Sequence, residues 1–193
     1  MSVTPTSSGV DNERLKTLQD KFAPDDIEWR IGQAGETKDG KVWATVLAYI
    51  TNRAIMSRLD EVCGIGNWKN EFATGPGGGV LCGISIKVTG EWVTKYDGAD
   101  NSQIEAVKGG LSDAMKRAGY QWGIGRYLYD LPNAFAAIAA EADKTARRGS
   151  YKKKDGTTVW FRWNPPFLPE WALPEQAKKA TLSKELDQIA AKQ

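Results

Sequence analysis

Lys116 and Arg117 stand side by side in the stretch IEAVKGGLSDAMKRAGYQWGIGRYLYDL, residues 104–131. Two adjacent cations on a helix can hold phosphates or another polyanion. Local pairing uses the same geometry, because Asp113 precedes them by three and four residues, and such pairs stabilise a helix by ~0.2–0.5 kcal/mol. Both readings stand on these residues alone. The functional one places the pair over a groove lined by Arg53. Lys108, on the same helix and off its apolar stripe, and Lys69, beside Trp68, extend the basic set, and a tryptophan next to a cation can stack a base. A different chemistry is open to Asp97, Asp100 and Glu105, whose carboxylates can bind Mg²⁺. The same acids also suit a loop and a helix start, where negative charge complements the helix dipole.

These side chains need elements to carry them. Ile104, Val107, Leu111, Met115 and Ala118 fall on one helical face, which predicts a long helix over about Asn101–Tyr120. A short helical turn follows near Arg126–Tyr129, stopped by Pro132. Upstream, Leu15, Leu18 and Phe22 predict a helix over Asp11–Phe22, ended by Pro24. Ile27–Gly35 and Lys41–Ile50 read as strands about an Asp39-Gly40 turn. Thr51 or Asn52 caps a helix running to about Val62. Three strands are then expected: Trp68–Thr74, Val80–Val88 in a central position, and Trp92–Tyr96 after a tight turn. The core order is strand, strand, strand, helix.

Met1–Val10 is Ser/Thr/Pro-rich and expected to be disordered, and residues 11–131 form the core domain. Residues 132–193 form a C-terminal extension. Within it, Ala134–Ala146 reads as a helix, Arg147–Asp155 as a flexible basic segment, and Val159–Leu173 as an extended aromatic and Pro-rich docking segment. Pro174–Lys192 reads as a terminal amphipathic helix.

Several function classes drop out. There is no GxxxxGK[ST] loop, and Gly123-Ile124-Gly125 lacks a third glycine and follows no strand. The absence of histidine removes the commonest general base. Cys63 and Cys82 lie in apolar contexts without a CxxC, which excludes a zinc site. Two thiols without a signal-peptide pattern lead us to expect a reducing cytoplasm. No apolar run reaches the ~20 residues of a membrane span. Net charge is only +2, so any polyanion site depends on where the charge is placed rather than on its total.

Three separate blocks carry a resemblance: Tyr49–Trp68 (YITNRAIMSRLDEVCGIGNW), Gly79–Val88 (GVLCGISIKV) and Glu105–Gly125 (EAVKGGLSDAMKRAGYQWGIG). In order and spacing the chain resembles the Rad-fifty-two family of single-strand annealing proteins, most closely its phage and bacterial relatives of the Sak type, over about Leu15–Leu131. The resemblance implies an α+β fold, with an antiparallel sheet packed on a long helix, flanking helices, and assembly into an oligomeric ring or arc. It implies single-stranded DNA in a basic groove around the ring, backbone inward and bases outward. Arg53 matches the family's groove arginine, and Lys116 and Arg117 match its basic pair. Tyr120 stands where the family has a further arginine, so that phosphate contact is lost or replaced by stacking. The loop before the long helix is shorter, and lysines of a second DNA path are not evident.

The function so implied is non-enzymatic and sequence-independent. The protein binds single-stranded DNA and anneals complementary strands in homologous recombination and double-strand-break repair, without ATP or any other cofactor. Expected partners are single-stranded DNA, further copies of the chain, and a host single-strand-binding protein or recombinase. The expected setting is the bacterial cytoplasm, that of the host if the chain is phage-encoded. Two alternatives stay open: a Mg²⁺-dependent nuclease using Asp97, Asp100 and Glu105, and a purely structural oligomer whose basic helix faces acidic neighbours.

Overall fold

The computed structural model describes residues 9–100 and 106–178. In chain order its main elements are α1 (Asn12–Lys16), β1 (Ile27–Glu36), β2 (Val42–Ile50), α2 (Asn52–Cys63), β3 (Trp68–Thr74), β4 (Val80–Val88), β5 (Glu91–Ala99), α3 (Ala106–Gln121), β6 (Ala134–Phe135), β7 (Ala137–Ala139), β8 (Arg147–Lys152) and β9 (Thr158–Asn164). The fold is α+β with antiparallel sheets. Contacts divide the chain into two units, one made of residues up to Phe22 with Ile50–Tyr127, the other of Ala23–Tyr49 with the chain from Leu128 onward.

The first unit is built on the sheet β3-β4-β5. Thr89 and Gly90 have φ of +46° and +97°, the two left-handed residues that a tight hairpin turn demands, and they fold β5 back onto β4. β4 is the central strand, as expected, and Cys82 through Ile86 are buried on both of its faces. β5 runs longer than the expected Trp92–Tyr96, because its pairing continues to Val80↔Ala99. Side chains alternate, so Cys82, Ile84 and Ile86 point to one face, where Ala114, Met115, Ala118 and Trp122 of the α3 region are also buried. The Trp122 indole N–H donates to the Ile84 carbonyl at 2.9 Å, and Asn70 reaches the Met115 sulfur at 3.9 Å. Thr51 caps α2 through the Ala54 amide, and Gly64, at φ +82°, ends it. α2 meets α3 where Gly119 leaves room for Ile55, at a Cβ-equivalent distance of 3.4 Å, and where Asn52 donates to Ser112 at 3.2 Å.

The helix expected over Asp11–Phe22 is shorter. Asp11 caps α1 through the Arg14 amide, but after Lys16 the chain tightens into a 3-10 turn, Thr17–Gln19. The Arg58 guanidinium explains the change. It lies 4.0 Å over the Phe22 ring and donates to the carbonyls of Thr17, Leu18, Asp20 and Lys21 at 3.2, 3.4, 2.9 and 3.4 Å. Those oxygens turn toward α2 instead of continuing an α-helical ladder, and only the Thr17 carbonyl among them keeps a 3-10 bond, from the Asp20 amide at 3.2 Å.

The second unit holds two three-stranded sheets, β1-β2-β6 and β7-β9-β8. Here the sequence reading needs correction. Ala134–Ala146 is not a helix: Val46 pairs with Ala134, Ile138 with Trp163, and the Ala136 amide donates to Ala44 at 2.9 Å. Alanine favours helix by less than a kcal/mol per residue, and strand partners for these backbone groups override that bias. Arg147–Asp155 is likewise no loose segment, since β8 pairs with β9 from Arg147↔Trp163 to Lys152↔Thr158. The Val159–Leu173 segment is extended as expected except for a 3-10 turn at Glu170–Ala172, and it supplies the central strand whose Phe161 and Trp163 are buried. Gly149 suits this close packing, because a Cβ would stand 2.5 Å from Ile31 Cδ1 and 2.8 Å from Phe161 Cζ and would force both side chains to shift. The two residue ranges expected at the ends, Met1–Val10 and Pro174–Lys192, lie largely outside the described residues. Residues 175–178 are helical.

Arg58 yields a stability test. Replacing it with alanine takes a donor from four carbonyls, those of Leu18 and Lys21 part-buried, and is expected to cost about 2 kcal/mol in urea unfolding. Lysine should recover less than half, because one ammonium cannot span the carbonyls that a planar fork serves. An unchanged midpoint in Arg58→Ala would mean that water serves these oxygens equally well.

Candidate nucleic-acid interface

The orientation of α3 decides which of its side chains are available. Ala114, Met115, Ala118 and Gly119 are buried, so the outward arc of this helix carries Asp113, Lys116, Arg117 and Tyr120. Tyr120 follows Arg117 by three residues and Lys116 by four, so the three form one continuous patch.

Arg117 is the accessible member. Its side chain is 52% exposed, and its Nε donates to Asp97 Oδ1 at 2.9 Å. Asp97 comes from β5, paired with Cys82 at the sheet's helix-facing side. It also accepts from Gln121 Nε2 at 2.8 Å and from the Gly98 amide at 2.8 Å. Partial burial raises its pKa, but the bonds from Gln121, Gly98 and Arg117 outweigh this and hold the carboxyl below the usual carboxylate range. Only the Nε edge of the guanidinium is committed, and the Nη donors keep their capacity for phosphate. Lys116 differs: its side chain is 12% exposed and its ammonium lies 3.4 Å from Asp113. Of the two local pairings open to Asp113, the one with Lys116 forms, while Arg117 turns to Asp97 of β5 instead.

Arg126 joins the patch without having been singled out in the sequence. Gly123 and Gly125, at φ +90° and +69°, reverse the chain after α3 and bring Arg126 back over its last turn. Its guanidinium stands 5.1 Å from the Tyr120 ring and donates to the carbonyls of Tyr120, at 2.8 and 3.1 Å, and Gln121, at 3.0 Å. It satisfies the helix end and adds a positive charge with no acidic partner of its own among the described residues. The left-handed glycine pair was the available signal.

Arg53 is exposed on the first turn of α2 and makes no ion pair or side-chain hydrogen bond among the described residues. Its neighbour Asn52 touches Ser112, one turn before Lys116, so the start of α2 lies against α3 beside the patch. Lys108 is exposed two turns before Lys116, about 12 Å along the helix axis.

Lys69 is not brought to this site. Strand alternation sends it to the sheet face opposite the one that carries Asn70 and Ile84, where it pairs with Glu71 at 3.1 Å and lies 5.6 Å over Trp92. Trp68, its neighbour in sequence, turns the other way and donates to Asp60 of α2 at 2.7 Å.

The carboxylate chemistry fares worse. Asp97 is occupied by three donors, Glu105 lies outside the described residues, and no group of three metal-binding side chains occurs among those described. Cys63 and Cys82 are buried, and that burial pushes both thiols up to about 11, so they are neutral and unreactive at physiological pH. No described helix is long and apolar enough to cross a membrane.

A three-stranded antiparallel sheet thus carries a long helix whose outer arc is basic and centred on Tyr120. The model of the Rad52/22 family of double-strand break repair proteins matches residues 12–76 and 79–147, and the chain belongs to that family. It is similar to two proteins named single-stranded DNA-binding protein DdrA. That from Deinococcus deserti is 31% identical, with 90% of this chain and 78% of the relative covered. That from Deinococcus radiodurans is 34% identical, with 84% and 69% covered.

The depressed pKa of Asp97 gives a pH prediction. A carboxyl titrating lower in the folded state stabilises fully above its unfolded pKa of about 3.9, and this contribution disappears as pH falls through the folded value. Urea midpoints of the wild type should therefore drop more steeply below pH 4 than those of Asp97→Asn. Parallel profiles would show that the carboxylate does not hold α3.

Proposed function

We propose that this chain binds single-stranded DNA without regard to sequence and anneals complementary strands in double-strand break repair, in the bacterial cytoplasm. The observation that carries this is the outer arc of α3, where Arg117 and Arg126 flank Tyr120 with Lys116 and Arg53 alongside. The family and the names of its relatives support the same ligand. Annealing is exergonic, so the task is to neutralise phosphate repulsion and leave base edges open. No nucleotide, metal or catalytic group is required for it.

Replacing both Lys116 and Arg117 with alanine should weaken oligothymidylate binding about tenfold and lower the slope of log K against log salt by about 1.4, from 0.7 per phosphate contact on single strands. The more exposed Arg117 should account for the greater share. Fluorescence anisotropy at several salt concentrations reads both quantities, and affinity equal to wild type at low salt removes the assignment.

A single copy presents few cations, and repetition would raise local charge density far beyond what +2 suggests. We therefore also propose self-assembly into a ring or arc. It is supported by the edges of β3 and β5, which pair with no further strand among the described residues, and by Trp92 and Tyr96, which are 47% and 54% exposed on the sheet's outer face. Electron microscopy of the purified protein, with and without single-stranded DNA, should show closed or curved oligomers. Monodisperse monomers in both samples contradict assembly.

A further inference from the structure

The β7-β9-β8 sheet has two unlike faces. Phe161 and Trp163 are buried toward β1, and on the same side Arg147 donates to the Trp29 carbonyl at 2.9 Å. Lys153 and Tyr151 are committed near the turn, meeting Glu36 at 2.8 and 3.0 Å, which holds that carboxyl below its ordinary range. The register Arg148↔Arg162, Ser150↔Trp160 and Lys152↔Thr158 puts these six residues on the outward face. The row contains no acidic residue.

Three outward side chains stand out. Trp160 is 62% exposed, a large apolar surface to leave in water. The Arg148 guanidinium lies 4.8 Å over its ring. Lys152 is exposed and makes no ion pair or side-chain hydrogen bond among the described residues, and the same holds for Lys154 in the following turn. Arg162 is different, because carbonyls of Glu141 and Ala146 take its donors at 3.0 and 2.9 Å, so it serves the fold.

We propose that this face is a second surface for single-stranded DNA, with Trp160 stacking a base and Arg148, Lys152 and Lys154 holding phosphates beside it. An exposed indole offers every base a π-face, and guanidinium planes stack on bases as well. Arg148 to Lys152 spans about 13 Å of strand, which sets cations on either side of the ring. An acidic peptide would use the cations and leave the indole idle. Duplex DNA would do the same, since its bases are stacked internally. The ligand class rests on the reading proposed above, but none of these residues belongs to α3.

The test compares the full-length wild type with three variants: Trp160→Ala, Arg148→Ala/Lys152→Ala and Lys116→Ala/Arg117→Ala. Labelled oligothymidylate and a duplex of equal length are titrated at several salt concentrations. Trp160→Ala should weaken single-strand binding about tenfold, the lower part of the range for one stacked base, and leave duplex binding and the salt slope unchanged. Arg148→Ala/Lys152→Ala should lower the slope by about 1.4. Oligonucleotides carrying 5-iododeoxyuridine should photo-cross-link to wild-type protein within the peptide holding Trp160, a readout independent of how any variant folds.

Wild-type affinity and slope in both sheet variants overturn the proposal, as do cross-links confined to other peptides. A slope change with Trp160→Ala silent overturns the stacking role and leaves a general anion-docking face. Loss in the α3 variant alone removes this second surface and keeps the function proposed above. A wild type that binds no oligonucleotide removes both.

Discussion

One carboxylate on the last strand of the β3-β4-β5 sheet, Asp97, fixes how α3 lies on its support. The apolar contacts under the helix involve Ile84, Ile86, Met115 and Ala118, and such contacts are non-directional. They hold the helix down without choosing its rotation or its position along the axis. Asp97 chooses, by gripping Arg117 and Gln121 one turn apart, and the Trp122–Ile84 bond sets the far end. Lys95 adds a further tie, donating to the Gln121 carbonyl at 3.1 Å from beneath the same turn. With the rotation fixed, Lys116, Arg117 and Tyr120 have only one way to face.

The same contacts settle an apparent conflict between two readings of a basic pair. Lys116 and Arg117 do engage nearby acids, as ordinary solvated helix residues would. The pairing leaves the Nη edge of Arg117 outward, and it positions the guanidinium rather than consuming it. Arg126 and Arg53 supply the net positive charge of the region, one by bonding only to carbonyls, the other by standing without an acidic partner among the described residues. Local neutrality and a binding role coexist because a guanidinium has more donors than one carboxylate can take.

Much of the first unit was legible in the sequence because its signals are short-range. β3 and β4 match expectation to the residue, since alternation and the Gly75–Gly79 loop mark their ends. α2 follows from the Thr51 cap and Gly64. The failures are all long-range. The 3-10 turn at Thr17 depends on Arg58, and the strands in Ala134–Ala146 depend on β2 and β9. The grouping of Ala23–Tyr49 with the chain from Leu128 leaves no local trace. Within the candidate site, the sequence shows which residues are cationic but not the contacts that sort them. Lys69 fell on the wrong face by the parity of a strand, and Arg126 was hidden behind a glycine turn.

Asp97 has a consequence for timing as well as for geometry. A carboxylate covalently part of the protein never diffuses away, so Arg117 stays anchored through its Nε whether or not its Nη donors carry a phosphate. When a strand leaves, the side chain keeps that bond and returns to a satisfied state instead of an empty one. Release then needs no rearrangement of the arginine, which shortens residence on the contact without abolishing attraction. For a protein that must surrender a strand the moment its complement arrives, a bond that is easily exchanged is more useful than a strong one.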